Sequence, residues 1–181
     1  MIGPLKAGDQ ATGWSGADVW QRDVSWPDGK TWYYLSFHRF ASCPFCQLRT
    51  HELIKNHHLF LEKNVEIISI WPSNSELLLE YAGADQTPFP MISDPQKQIY
   101  RSFGVVHKGL SGALRLMFHP GLILDAIKAR KGDIKPDADP MLFPAGFLLA
   151  PEGRVAMAYY GRHYGDHAPI DSILSHTNFK K

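Results

Sequence analysis

The hydrophobic positions of the chain fall into short runs separated by turn residues. Trp32-Tyr33-Tyr34-Leu35-Ser36-Phe37 is aromatic and nearly continuous, which predicts a buried strand of a central sheet. Val65–Ile70 carries β-branched residues at four positions and predicts a second strand. Phe89-Pro90-Met91-Ile92 predicts a short strand or extended segment. Phe147-Leu148-Leu149 predicts a further strand, and Val155–Tyr160 should return antiparallel after the turn Ala150-Pro151-Glu152-Gly153.

Between these runs the periodicity turns helical. Gln47–Lys55 holds good helix formers and no Gly or Pro, and Pro44 suits the first turn, where its missing N–H is not needed. Ser73 with Glu76 fits a capping box, so a short helix is expected over about 74–81. Asp94 as N-cap and Pro95 behind it predict another helix, stopped by Gly104. Pro169–His176 predicts a terminal helix, with Asp166 as a candidate cap. The first thirty residues are turn-rich, with short apolar or alternating patches near Val19–Val24 and a strong turn at Asp28-Gly29.

One stretch exceeds a minimal domain. Between Gly104 and Pro144 lie about forty residues, too many for a structureless loop in a compact fold. Leu114–Phe118 and Leu122–Ile127 are helical in composition, and Gly132 is a stop. A helical insertion at about 106–140 is expected, packed on the sheet or covering the active site. The whole order, β-α-β-α-β-α, insertion, β-β-α, predicts an α/β class: one domain over 1–181, a central sheet and helices on both faces.

Composition narrows the function classes. Of 181 residues, 19 are Lys or Arg and 18 are Asp or Glu, a net charge of +1. That speaks against a broad nucleic-acid surface or a polybasic membrane patch, so neither partner is expected. The start Met1–Asp9 lacks the pattern of a signal peptide, and the apolar clusters are too short to span a bilayer. A cytoplasmic protein is expected, in which idle thiols stay reduced.

Both cysteines of the chain sit in one tetrapeptide, Cys43-Pro44-Phe45-Cys46. A strand followed by CxxC at a helix entrance places Cys43 where unpaired N–H groups and the helix dipole favour an anion. That lowers a thiol pKa, and the thiolate is the nucleophile of disulfide exchange. Cys46, one turn later on the same face, can resolve the mixed disulfide. Pro44 limits backbone freedom between them. Cys43 is therefore the expected attacking thiol and Cys46 the resolving thiol, with no cofactor and no metal. A zinc site would need Cys43 and Cys46 with two histidines such as His51, His57 or His58, at poor spacing. His38 and Arg39 flank the thiols, and either could stabilise a thiolate or steer a substrate. Trp71 could form a wall beside the site. No phosphate loop, nucleotide fingerprint or nucleophilic serine signature is present.

These residues carry a resemblance. Trp32–Cys46 and the following helix resemble the active-site region of the thioredoxin-like superfamily. Phe89–Pro95 with Tyr100 and Phe103-Gly104-Val105 resembles the FPLLSDP…YGV segment of its alkyl hydroperoxide reductase/thiol-specific antioxidant (AhpC/TSA, peroxiredoxin-like redoxin) branch. Phe147–Val155 resembles that branch's FLIDPEGRV hairpin, and Tyr160-Gly161-Arg162 with Gly165-Asp166-His167 a bacterial subgroup's tail.

The resemblance implies a thioredoxin-like fold with a mixed sheet and an antioxidant redox activity. It matches Cys46 to the peroxidatic cysteine of the Pro-x-x-x-Thr/Ser-x-x-Cys motif. Arg39 then stands at the proline position, Cys43 at the threonine position, and the family's distant Arg falls near Pro144. Thioredoxin-type oxidoreductases instead pair CxxC with a facing proline after a cis bond, and Phe143-Pro144 suits that place. Three functions stay open: a thiol-disulfide oxidoreductase, a thiol-dependent peroxidase, and a non-catalytic redox-sensing or zinc-binding module. The expected partners are a protein or small-molecule disulfide, or a hydroperoxide, with a thiol electron donor. A homodimer face is also open.

Overall fold

The computed structural model describes residues 3–105, 109–130 and 132–178. Residues 106–108 and 131 of the expected insertion lie outside the described residues.

A small antiparallel hairpin of β1 (Trp14–Ala17) and β2 (Asp23–Trp26) precedes the main sheet. The main sheet holds β3 (Trp32–Phe37), β4 (Val65–Trp71), β5 (Met91–Ser93), β6 (Ala145–Leu149) and β7 (Val155–Tyr160). Their lateral order is β5-β4-β3-β6-β7. β3, β4 and β5 run parallel, while β6 and β7 are antiparallel to their neighbours, so the sheet is mixed. β3 lies at the centre, which is why its sequence is apolar on both faces. Tyr33, Leu35 and Phe37 face a core with Tyr100, Phe103 and Phe147, whereas Tyr34 faces Leu53, Phe60 and Ile173.

Seven helices complete the described chain: α1 (Pro44–Lys55), α2 (His57–Leu61), α3 (Ser75–Glu80), α4 (Gln98–Ser102), α5 (Ser111–Leu116), α6 (Pro120–Ala129) and α7 (Ile170–Ser175). Residues of α1, α2 and α7 cover one face of the sheet, and those of α4 the other. α5 and α6 fall in the segment expected to be an inserted pair, and α6 packs on α1. Among the described residues no helix is long and apolar enough to cross a membrane.

Two local expectations are corrected. Ser73 does not cap α3: its hydroxyl receives the Ala41 N–H and donates to Asp137, and Asn74 holds the cap position. Asp166 does not cap α7, whose cap position is Pro169. Its carboxylate instead takes the Tyr159 hydroxyl at 2.5 Å and the Arg162 N–H at 2.8 Å, closing the loop behind β7. In the turn-rich first thirty residues β1 and β2 flank Val19. Asp18 accepts the N–H groups of Trp20 and Arg22, and Gln21 takes a positive φ of 63°, so that stretch becomes the hairpin turn. Asp94 acts as expected, accepting from Gln98, Ile99 and Tyr100, though α4 proper begins only at Gln98.

Candidate active site

β3 ends at Phe37 and the chain turns through five residues, 38–42, into α1. Cys43 takes the N-cap position with extended φ and ψ, and Pro44 occupies the first turn. Both cysteines are free thiols and fully buried. They share an apolar cluster with Phe40, Trp71, Tyr81 and Met91.

Arg39 organises the pair. One guanidinium nitrogen, Nη1, lies 3.4 Å from Cys43 Sγ, and the Arg39 backbone N–H points at Cys46 Sγ at 3.3 Å. The rest of the guanidinium is held by the carbonyls of Leu142, at 2.8 Å from Nε, and Pro140. The Tyr164 ring lies against it, 3.9 Å from ring centroid to guanidinium carbon. Arg39 is thus a buried cation with planar contacts on two sides, a role that suits Arg better than Lys.

The two thiols differ sharply. Burial pushes the Cys43 thiol up. The Cys46 S–H, the Arg39 charge and the N–H groups of Cys46 and Phe45 together outweigh it and bring Cys43 down to about 7. Cys46 goes the other way. Burial, its hydrogen bond to Cys43 and the charge on Cys43 hold it well above an ordinary thiol. A poised thiolate therefore sits beside a protonated partner one helical turn away.

A strap covers this pair. Ser42 Oγ donates to the Lys135 carbonyl and receives the Lys135 N–H, both at 2.9 Å. Ser73 links Ala41 to Asp137, and Arg39 ties in Pro140 and Leu142. The chain after α6 thus lies over the cysteine loop, at the end of the segment expected to be an insertion.

The other candidate residues are spread around this centre. Trp71 is fully buried in the cysteine cluster, its indole N–H on Ser69 Oγ at 2.7 Å. His38 stacks on Trp71 at 4.0 Å with nearly parallel rings, and burial, then the Arg49 charge, pushes its pKa well down. It is neutral at pH 7 and offers a thiolate no charge; Arg39 does. Phe143 and Pro144 line a cavity that neither cysteine reaches. The cis bond among the described residues is Trp26–Pro27, so the Phe143–Pro144 bond is trans, contrary to the expectation from thioredoxin-type enzymes. In that form Pro144 runs straight into β6 and its carbonyl accepts the Gly161 N–H at 2.9 Å. For zinc, no three His, Cys, Asp or Glu side chains converge among the described residues, and His51 lies exposed on the outer side of α1.

Two groups escaped sequence reasoning. Tyr164 lies over Arg39 from the far end of the chain, and His167 lies 5.8 Å from His38 beside buried Arg49. Only the aromatic and histidine density of 159–167 marked that region, without a partner to assign.

The sequence family described as AhpC/TSA matches residues 7–157. The chain belongs to the AhpC/TSA family. A protein assigned as peroxiredoxin bcp from Buchnera aphidicola subsp. Schizaphis graminum is 32% identical over 69 residues, 38% of this chain. The match spans 44% of that relative. Among solved structures, peroxidoxin BcpB from Mycobacterium tuberculosis shares the fold with a TM-score of 0.68, at 16% identity over 96% of both chains. The thioredoxin domain of a thiol-disulfide oxidoreductase from Bacteroides vulgatus also shares the fold, with a TM-score of 0.57, at 18% identity over 96% of this chain and 99% of that one. The fold is therefore thioredoxin-like, and within the AhpC/TSA family this chain carries a CxxC pair at the head of α1.

Proposed function

We propose that this AhpC/TSA protein is a thiol-disulfide oxidoreductase working through a Cys43/Cys46 dithiol–disulfide couple. The observation that carries this reading is the asymmetry of the pair: Cys43 drawn down to about 7 beside Arg39, Cys46 held up. The Cys43 thiolate attacks one sulfur of a disulfide. The S–S bond breaks, one half leaves as thiolate and takes up a proton, and the other stays on Cys43 as a mixed disulfide.

Once Cys43 is bonded, the negative charge that held the Cys46 thiol up is gone. The Arg39 N–H and guanidinium then favour a Cys46 thiolate. Cys46 gives up its proton, attacks Cys43 Sγ, and the second half leaves as thiolate. The substrate gains two electrons and the protein keeps a Cys43–Cys46 disulfide, which a thiol donor reduces again. Such turnover suits the cytoplasm, where thiols are kept reduced. In this reading Phe143 and Pro144 shape the substrate groove, and Trp71 with His38 stacked on it backs the cysteine pair from within.

The second reading, a thiol-dependent peroxidase, is favoured by family membership and by the full burial of both sulfurs, which suits a small oxidant. A thiolate of the pair, Cys46 or Cys43, attacks a hydroperoxide oxygen, the O–O bond breaks, and an alcohol or water leaves. The sulfenic acid condenses with the neighbouring thiol to the same disulfide and one water.

A Cys46→Ser variant should trap a mixed disulfide through Cys43, and Cys43→Ser should trap none. Equal trapping by both variants removes the assignment of roles. Stopped-flow oxidation by hydroperoxide separates the readings, because a rate no faster than free cysteine excludes the peroxidase.

A further inference from the structure

Beside Phe143 and Pro144, the packing leaves a cavity of about 250 Å³. Its walls are Val105, Phe143, Pro144 and Tyr160, and its charged members are Arg115 and Arg162. An apolar wall with two guanidinium groups is the lining expected for a small ligand with an apolar body and an anionic end.

The charges around it favour that sign. Arg162 is fully exposed and shares Asp166 at 3.2 Å, so part of its charge is already answered. Arg115, on exposed α5, pairs with no carboxylate among the described residues. The His119 and His163 rings meet at a tilt beside them, 4.7 Å between centroids. Burial first, then His119, Arg162 and Arg115, disfavours a proton on His163 against the pull of Asp166. Two arginines facing one aspartate leave a net positive rim.

The cavity also has a short route to the sulfur. Phe143 packs on Tyr164, with 5.8 Å between ring centroids. Tyr164 packs on the Arg39 guanidinium at 3.9 Å, and Arg39 Nη1 touches Cys43 Sγ at 3.4 Å. Two side chains, Tyr164 and Arg39, therefore stand between the cavity wall at Phe143 and the attacking thiol.

We infer that this cavity is the docking subsite for a small carboxylate-bearing substrate of Cys43, with Arg115 and Arg162 holding its anionic end. The inference rests on the dithiol reading above and names the substrate class for that site. The ligand's apolar body lies on Phe143 and Tyr160. Its reducible bond reaches Cys43 when Tyr164 and the strap give way, with the Arg39 guanidinium staying beside the sulfur.

Two measurements test it. The first compares dithiobis(nitrobenzoate), a dianionic aryl disulfide, with neutral dithiodipyridine on the reduced protein. In the double variant Arg115→Gln/Arg162→Gln the rate with the dianion should fall about tenfold, and the rate with the neutral reagent should stay within about twofold. Arg115→Lys/Arg162→Lys should restore most of the loss. Lys128→Gln, which removes a cation from α6 outside the cavity, should leave the ratio unchanged. Equal losses with both reagents, or an equal effect of Lys128→Gln, overturn the subsite.

The second titrates nitrobenzoate, which carries no disulfide, onto the reduced protein by calorimetry. Binding that disappears in the Arg→Gln double variant supports the subsite even if no disulfide reacts, in which case only the dithiol reading fails. Rapid disulfide reaction with no nitrobenzoate binding overturns the subsite and leaves that reading standing.

Discussion

Arg39 touches both cysteines: its guanidinium lies 3.4 Å from Cys43 Sγ, and its own backbone N–H binds the Cys46 sulfur that donates to Cys43. One residue thereby sets the charge on the first thiol and the position of the second. In the family pattern that position holds proline, which could supply neither contact. The cation that the family takes from a distant Arg here comes from within the cysteine loop.

Removing that cation should be visible in the thiol titration. In Arg39→Gln the alkylation midpoint of Cys43 should move up from about 7 by roughly one unit, with a roughly tenfold slower reaction at pH 6. Arg39→Lys should keep part of the effect. Alkylation by iodoacetamide followed by mass spectrometry, from pH 5 to 10, reads the midpoint at each cysteine. An unmoved midpoint means the guanidinium does not tune this thiol.

Because both sulfurs are fully buried, a bulky alkylating reagent reaches them only when the strap opens. Ser73→Ala removes the bridge between Ala41 and Asp137, and Ser42→Ala removes both bonds to Lys135. Each variant loses two hydrogen bonds at about 1 kcal/mol apiece, so either should raise the rate of labelling by a bulky maleimide about thirtyfold. The Cys43 midpoint should not change. Equal rates in wild type and variants would place the entry route elsewhere.

Gly112 on α5 tests how the expected insertion is seated. A Cβ there would come within 2.7 Å of the Tyr164 ring and closer still to Phe143. Alanine is the better helix former by about 1 kcal/mol, yet overpacking against two rings should win, for a net loss of about 1–2 kcal/mol. Chemical denaturation measures it. The same variant should disturb Cys43 reactivity, since Tyr164 backs Arg39. A stabilised Gly112→Ala would show that the rings yield freely.

His38 and His167 predict the acid limb of stability. Burial, reinforced by Arg49, holds both rings well below the ordinary histidine value, so the folded protein keeps them neutral. Above about pH 6.5 the unfolded chain is neutral there too, and no penalty arises. Below it the unfolded state takes up protons that the folded state refuses. Stability should therefore fall as pH drops from 6.5, by up to about 1.4 kcal/mol per unit for each ring. Denaturant melts of His167→Gln against wild type at pH 7.5 and pH 5 check this. The variant should lose less stability over that interval, and an identical loss would remove His167 as a cause.

The order of strands and helices could be read along the chain because it rests on local rules. β3 and β4 are apolar runs of strand length, Pro44 can only open a helix, and Ala150–Gly153 can only turn. The CxxC pair at the head of α1 was legible for the same reason, since the cap position follows from strand, turn and proline. The rest depends on residues far apart in sequence. Ser73 has the form of a helix cap, but Ala41 and Asp137 claim its hydroxyl. Asp166 has that form too, but Tyr159 and Arg162 claim its carboxylate. His38 and Arg39 stand side by side in the chain with the same promise. Folding buries one as a neutral ring on Trp71 and lays the other against Cys43 under Tyr164, 125 positions away in the numbering from Arg39. Local patterns specify which group can bond; a buried polar group takes whichever partner the packing brings within reach, and only the tertiary structure decides which one that is.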